Sequence, residues 1–167
     1  MATHTPDPDP RDQGDFDYTG GSVDRPDLVE ALDARVDGDV RFDEYSRRLY
    51  ATDASAYEVT PIGVVIPEST ADVAAVHEYC FEAGVPVLPR GGGTSLAGQT
   101  VSEAVVLDLT GSMDEVRSTD PKAGTATAQA GAYVGDLNAA VEPHGLKFAP
   151  DPAWRDKSAV GGAIGNN

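Results

Sequence analysis

Three consecutive glycines, Gly91, Gly92 and Gly93, stand directly after a short apolar stretch (residues 85–88, VPVL), so that residues 90–99 read RGGGTSLAGQ. Glycine loses more backbone freedom on ordering than any other residue, so such a run is unsuited to the interior of a helix or strand. Its place is that of a loop at the carboxyl end of a strand, where open α/β sheets receive ligands. Without Cβ atoms the main chain reaches conformations closed to other residues and admits a ligand to its surface. Successive N–H groups then converge on an anion, with the Thr94 and Ser95 hydroxyls as further donors. A diphosphate is the expected occupant. Two commoner phosphate loops are excluded: no Gly-Lys-Ser/Thr follows, as a Walker A loop requires, and Leu96 stands where G-x-G-x-x-G needs its third glycine.

The flanking pattern supports that setting. Residues 62–66 (IGVVI) are a mostly β-branched run bounded by prolines, which predicts a buried strand. A helix follows over 69–84: Ser69 caps it with Asp72 three positions on, a variant capping box. Val73, Val76, His77 and Cys80 fall at i, i+3, i+4 and i+7 and are its predicted core face; Gly84 stops it. With residues 85–88 as the next strand, the segment is a βαβ unit with parallel strands. A third strand is predicted over 104–109 (AVVLDL), and two more, 115–117 and 125–130, form an extended pair joined by STDPKAG. Gly131 leads into a helix over 133–142, with Val134, Leu137 and Val141 as its apolar stripe and Pro143 and Gly145 as its end. Upstream, Pro26 suits the first turn of a helix reaching about Gly38, and residues 41–57 read as a short helix plus a packed connection. Residues 1–22 combine Pro, Asp and Gly with almost no aliphatic side chains and are expected to stay flexible.

The chain carries 28 acidic and 12 basic residues, a net charge of −16. The excess is shared: residues 1–40 hold 11 acidic and 3 basic side chains (−8), and residues 41–167 hold 17 and 9 (−8). Such a surface repels phosphate backbones and anionic lipid, so no nucleic-acid partner is expected and a membrane only indirectly. Nine of the basic residues are arginines and three are lysines. This composition resembles that of proteins adapted to molar salt, where the Debye length falls to about 3 Å and crowded carboxylates are screened; a halophilic source is the expectation. The single cysteine, Cys80, forms no internal disulfide and no metal cluster. With no apolar run of a secretory or spanning kind, the expected location is cytoplasmic.

The succession IGVVIPEST, VPVLPRGGGTSLAGQ, AVVLDLTGSM, AQAGAYVGDLN, FAPDPAW and SAVGGAIGNN resembles the FAD-binding region of the vanillyl-alcohol-oxidase superfamily (FAD-binding PCMH-type), in its D-lactate dehydrogenase and glycolate oxidase branch. The resemblance implies an α+β fold: a small βαβ lobe with parallel strands over 61–109, then the start of a second, mainly antiparallel lobe, the flavin lying between them. It implies three divisions: an acidic tail (1–22), a helical lead-in (23–60), and the FAD-binding domain (61–167), incomplete at its C-terminus. Arg90, Gly91, Gly92, Gly93, Thr94, Ser95, Gly98 and Gln99 resemble the loop that wraps the FAD pyrophosphate. Pro150, Asp151 and Pro152 resemble a segment beside the flavin. Gly161, Gly162, Ile164, Gly165, Asn166 and Asn167 resemble a second glycine-rich segment against it, whose glycines permit close backbone contact and whose asparagines offer donors and acceptors.

Some relatives tether the flavin through a histidine in or near the first loop. This loop has none, so non-covalent FAD is expected. His77 and His144 read as packing or capping residues and Cys80 as a buried spacer; Asp53 and Tyr57 read as packing residues ahead of the first strand. Trp154 departs from the small residues usual after PDP, and two roles are open to it, against the flavin or over the domain edge. The implied activity is FAD-dependent oxidation of a small 2-hydroxy acid, of D-lactate or glycolate type, by hydride transfer to the flavin. The catalytic base and the substrate contacts are expected beyond residue 167, so no catalytic residue is named, and the electron acceptor is left open. The alternatives are a same-fold flavoenzyme of alkylglycerone-phosphate synthase type and a non-catalytic nucleotide-binding fragment.

Overall fold

The computed structural model describes residues 25–166; the expected tail (1–22) and Asn167 lie outside the described residues. Two hydrophobic cores define the architecture. The first sits on a four-stranded sheet of β1 (Asp39–Arg41), β2 (Gly63–Ile66), β3 (Val87–Arg90) and β4 (Val105–Asp108), in the order β1-β2-β4-β3. Leu28 and Leu32 of α1 (Pro26–Asp33) and Val76 and Cys80 of α3 (Thr70–Glu82) pack against Val65, Val105 and Leu107 on one face. By strand alternation Val64 and Val106 point to the other face, where they too are buried.

The parallel βαβ unit is present, with a strand inserted in it. β2 and β3 both pair in parallel with β4, which lies between them, with Val64 opposite Val106 and Leu88 opposite Val106. The order follows from side-chain chemistry. Residues 104–107 are all fully buried and suit the interior of the sheet, whereas Pro89 in β3 lacks an N–H and is tolerated at an edge.

Several local expectations need correction. The first helix stops at Asp33, well before Gly38, because the chain turns there into β1, an antiparallel partner of β2 that the sequence pattern did not reveal. The short helix expected within 41–57 is α2 (Glu44–Leu49), capped by Asp43 through the Ser46 N–H at 2.8 Å. His77 is exposed, not on the core face of α3. The inward side is Asp72, Val76 and Cys80, and His77 lies one residue, about 100° of helical rotation, past that line.

The second core gathers Val134, Leu137 and Val141 of α4 (Val134–Val141) with Ala132 and Val160. Beside it lies the antiparallel hairpin β5 (Val116–Asp120) and β6 (Thr125–Ala128), whose turn is held by Asp120 accepting from the N–H groups of Lys122 and Ala123. A 3₁₀ turn (Glu142–His144) ends α4, and His144 within it is exposed. The terminal glycine-rich segment, to which the sequence pattern assigned no secondary structure, is a helix, α5 (Val160–Asn166). The fold is thus α+β, one lobe with parallel strands and one with antiparallel strands.

Candidate functional site

β3 ends at Arg90, and the loop after it runs between two other segments. On one side lie residues 50–57, ahead of β2. On the other lie residues 157–166, leading into and forming α5. The glycines explain the closeness of this packing. A Cβ on Gly91 would stand 2.7 Å from the Ala159 Cβ, and one on Gly92 only 1.7 Å from the Lys157 carbonyl oxygen. Gly93 and Gly98 adopt positive φ (64° and 77°), which side chains disfavour. Their outward directions meet the Arg90 guanidinium and the Tyr57 ring. The expectation that the three glycines clear a path for a ligand is therefore corrected: the space their side chains vacate is occupied by the protein itself.

The polar groups divide in the same way. Thr94 Oγ1 lies 3.1 Å from Ser158 Oγ. Ser95 Oγ donates to Gln99 Oε1 and accepts from the Gln99 N–H at 3.1 Å, folding the loop on itself. Gln99 Nε2 reaches Asn166 Oδ1 at 3.5 Å. By contrast, the main-chain N–H groups of Gly92, Gly93, Thr94, Ser95 and Leu96 donate to no acceptor among the described residues. Five successive donors without an acceptor in a part-exposed loop are the kind of groups that can hold an anion. A diphosphate group therefore fits this loop through main-chain amides rather than through the hydroxyls.

Arg90 does not project into that space. Its Nη1 donates to the carbonyls of Tyr50 (3.2 Å) and Thr100 (2.9 Å), its Nη2 to that of Thr52 (2.8 Å), and its guanidinium lies over the Tyr50 ring at 5.4 Å. Burial lowers its pKa, opposed by the nearby carboxylates of Asp108 and Asp53. Tyr50 in turn donates to Asp108 Oδ2 at 2.6 Å; burial first, then that carboxylate, push the phenol well above its ordinary value, so it stays protonated. Asp53 accepts from the Ser55 N–H (2.8 Å) and from Thr100 Oγ1 (3.0 Å). Burial alone would raise its pKa, but these hydrogen bonds outweigh burial and hold the carboxyl below the usual range.

Of the residues singled out from sequence, the structure brings the first loop and the 157–166 segment together through Gly91, Gly92, Thr94, Gln99 and Asn166. Others are placed apart from these contacts. Asp151, between Pro150 and Pro152, is exposed and pairs with Lys147 Nζ at 2.8 Å and Arg155 Nε at 3.7 Å. Ile164 lines an apolar cleft of about 400 Å³ together with Leu137, Val141, Phe148 and Val160, beside hairpin β5–β6. Gly161 packs against Ala130, while Gly162 and Gly165 face open space. Trp154 is exposed. Asp53, Thr100 and Ser158 are the polar contacts that the sequence pattern gave no ligand-site role; Thr100 stands just outside the glycine motif and Asp53 far upstream of it, and no local pattern marks them.

Comparison with known proteins gives these residues a family context. The FAD binding domain family matches residues 61–167. A D-2-hydroxyglutarate dehydrogenase from Pseudomonas putida is 35% identical over 147 residues, covering 86% of this chain and 15% of that protein. Glycolate oxidase subunit GlcD from Bacillus subtilis is 35% identical over 145 residues, covering 84% of this chain and 31% of that protein. An alkyldihydroxyacetonephosphate synthase structure superimposes with a TM-score of 0.71 at 22% identity, over 87% of this chain and 30% of that one, a likeness of fold alone. The chain thus spans less than a third of the length of the relatives it matches. Among the described residues, no helix is long and apolar enough to cross a membrane.

Proposed function

The chain belongs to the FAD binding domain family over residues 61–167, and on that premise we propose that it forms the cofactor-holding part of an FAD-dependent oxidoreductase acting on a small 2-hydroxy acid. The observation that carries the reading is the run of five unengaged N–H groups from Gly92 to Leu96, inside the stretch the family matches. These amides bind the diphosphate of FAD without a covalent tether. Arg90 contributes a part-buried positive charge beside Gly93, whose field favours an anion at the loop. Gly91, Gly98 and Gln99 hold the loop against its neighbours, while Pro150, Asp151, Pro152, Gly161, Gly162, Ile164, Gly165, Asn166 and Asn167 belong to the cofactor's outer surroundings.

When bound, the flavin supplies the hydride-accepting centre. The residues here orient it and shield one side of it from water. The substrate contacts and the base are assigned to parts of the protein beyond residue 167, in keeping with a chain that spans less than a third of its relatives' length. The names of the relatives, D-2-hydroxyglutarate dehydrogenase and glycolate oxidase subunit, favour a 2-hydroxy acid as the substrate class. We propose further that residues 1–22 are an acidic tail, 23–60 a lead-in and 61–167 the cofactor domain, and that the acidic, arginine-rich composition belongs to a salt-adapted, cytoplasmic protein.

The test is FAD binding by the full-length gene product, with Leu96→Glu and Leu96→Gln compared by flavin fluorescence titration. Leu96 is 81% exposed, so both variants fit. A carboxylate beside the free amides is expected to weaken FAD binding about tenfold in dilute buffer, with the difference shrinking in molar salt as screening sets in. Leu96→Gln should bind as the parent does. Absence of flavin from the parent, or equal affinity of the two variants at low salt, refutes the assignment of the loop.

A further inference from the structure

The glycine loop is held at three points by a segment that the family match does not reach. Residues 50–54 run along one side of it. Arg90, at the loop's start, sends three of its five N–H donors to main-chain carbonyls, two of them in that segment (Tyr50 and Thr52) and one at the loop's far end (Thr100). In the middle, the Ala54 N–H donates to the Gly93 carbonyl at 3.0 Å. At the far end, Asp53 Oδ2 takes the Thr100 hydroxyl at 3.0 Å and faces its N–H at 3.4 Å. Arg90 and Asp53 therefore join the first and last residues of the loop to each other through one stretch of backbone.

We propose that Arg90 and Asp53 form a clasp that fixes residues 91–99 in the conformation that presents their free amides, making them, with Thr100, positioning residues of the cofactor site rather than contacts of the cofactor. The physical need is plain. A loop with four glycines in nine residues has a large entropy to lose, and its amides converge only if that loss is met before the ligand arrives. The internal Ser95–Gln99 contacts fold the loop but do not anchor it. The arginine is suited to anchoring because its planar fork reaches several carbonyls at once, which a lysine ammonium on a flexible stem does not reproduce. Asp53 suits the other end because the Thr100 hydroxyl and the Ser55 N–H occupy different oxygens of one carboxylate.

The inference rests on the loop being the FAD diphosphate site, and the experiment separates the two. In the full-length gene product, Arg90→Lys, Thr100→Val and Thr100→Ser are compared by FAD titration, thermal melting and hydrogen exchange of the Ala54 and Thr100 amides in the cofactor-free form. Thr100→Val is expected to speed exchange at both amides about tenfold and weaken FAD by a similar factor, the size of one hydrogen bond to a charged group. The melting temperature should be nearly unchanged. Thr100→Ser, which keeps the hydroxyl, should restore both readouts, and Arg90→Lys should loosen both amides as Thr100→Val does. If the parent binds FAD, Leu96→Glu binds it about tenfold more weakly at low salt, and Thr100→Val binds normally, the site stands and the clasp is overturned. If the amides loosen with no loss of affinity, the clasp is also overturned. A parent that binds no FAD overturns the site and, with it, the clasp's role.

Discussion

Two glycines that look alike in sequence should respond in opposite ways to alanine. The Cβ of Gly92→Ala would fall 1.7 Å from the Lys157 carbonyl oxygen, backbone that cannot rotate away. An ordinary carbon–oxygen approach is about 3.3 Å or more, so the loop and residues 157–159 must separate by roughly 1.5 Å. The 157–159 segment is itself tied down, with the Ser158 N–H on the Trp154 carbonyl (2.8 Å) and the Ser158 carbonyl on the Val134 N–H (2.9 Å). Overpacking of this kind costs about 1–3 kcal/mol, which lowers the melting temperature by at most about 2–4 °C per kcal/mol, the range for a domain of about 150–250 residues. Gly162, in α5, has no atom within 4 Å of its Cβ direction, so Gly162→Ala should stabilise the helix by about 0.5–1 kcal/mol. The assay is thermal denaturation of the full-length, cofactor-free protein. Equal melting temperatures for the two variants, or a Gly92→Ala protein as stable as the parent, would refute the claim that the loop's glycines serve protein packing.

Other outcomes follow from buried polar groups and the lone thiol. Asp72 is buried and accepts from the N–H groups of Glu68 (2.9 Å) and Gly38 (3.2 Å) and from Ser69 Oγ (3.0 Å); Asp72→Ala strands these donors and should cost about 1–3 kcal/mol in urea unfolding. Burial opposes ionisation of Asp72, yet its hydrogen bonds prevail and hold the carboxyl below the ordinary range. Because the folded pKa is depressed, that stability is full above the unfolded value, about pH 4, and is lost as pH falls through the lower folded value. Melting curves recorded from pH 6 to pH 2 should therefore drop more steeply for the parent than for Asp72→Asn. Cys80 is fully buried and its thiol is pushed up by that burial, so a thiol reagent at pH 8 should label it only as fast as the protein unfolds; rapid labelling of the native protein would contradict its place in the core.

Much of the fold was legible because short-range physics decides it. The Ser69 cap, the stripe of α4, the hairpin around Asp120 and the loop after β3 each depend on residues a few positions apart. Capping, periodicity and turn chemistry act over just those distances. The central place of β4 and the edge place of β3 were implicit in four successive buried-type residues and in Pro89, yet strand order depends on which partners compete for the middle of the sheet. β1 was invisible because three residues, Asp39 to Arg41, are too few to display alternation, and its pairing with β2 comes from the chain reversal before it. His77 was misplaced because a stripe read at i and i+4 tolerates a neighbour about 100° away, and only packing against the sheet chose Val76 and Cys80 over it.

The amino-acid order alone was enough to place a loop at residues 91–99 directly after a strand, since glycine content and strand position are local properties. Which of its donors stay without a partner was a tertiary matter. Arg90, Thr94 and Ser95 all look like donors in sequence, but the fold spends them on Tyr50, Thr52, Thr100, Ser158 and Gln99, leaving the amides of Gly92 to Leu96 unengaged. Those partners lie up to 64 residues away. A side chain's donors go to whichever acceptors the folded chain brings within about 3 Å, and that distance is set by the packing of the two lobes and the lead-in, which no local reading of the motif contains.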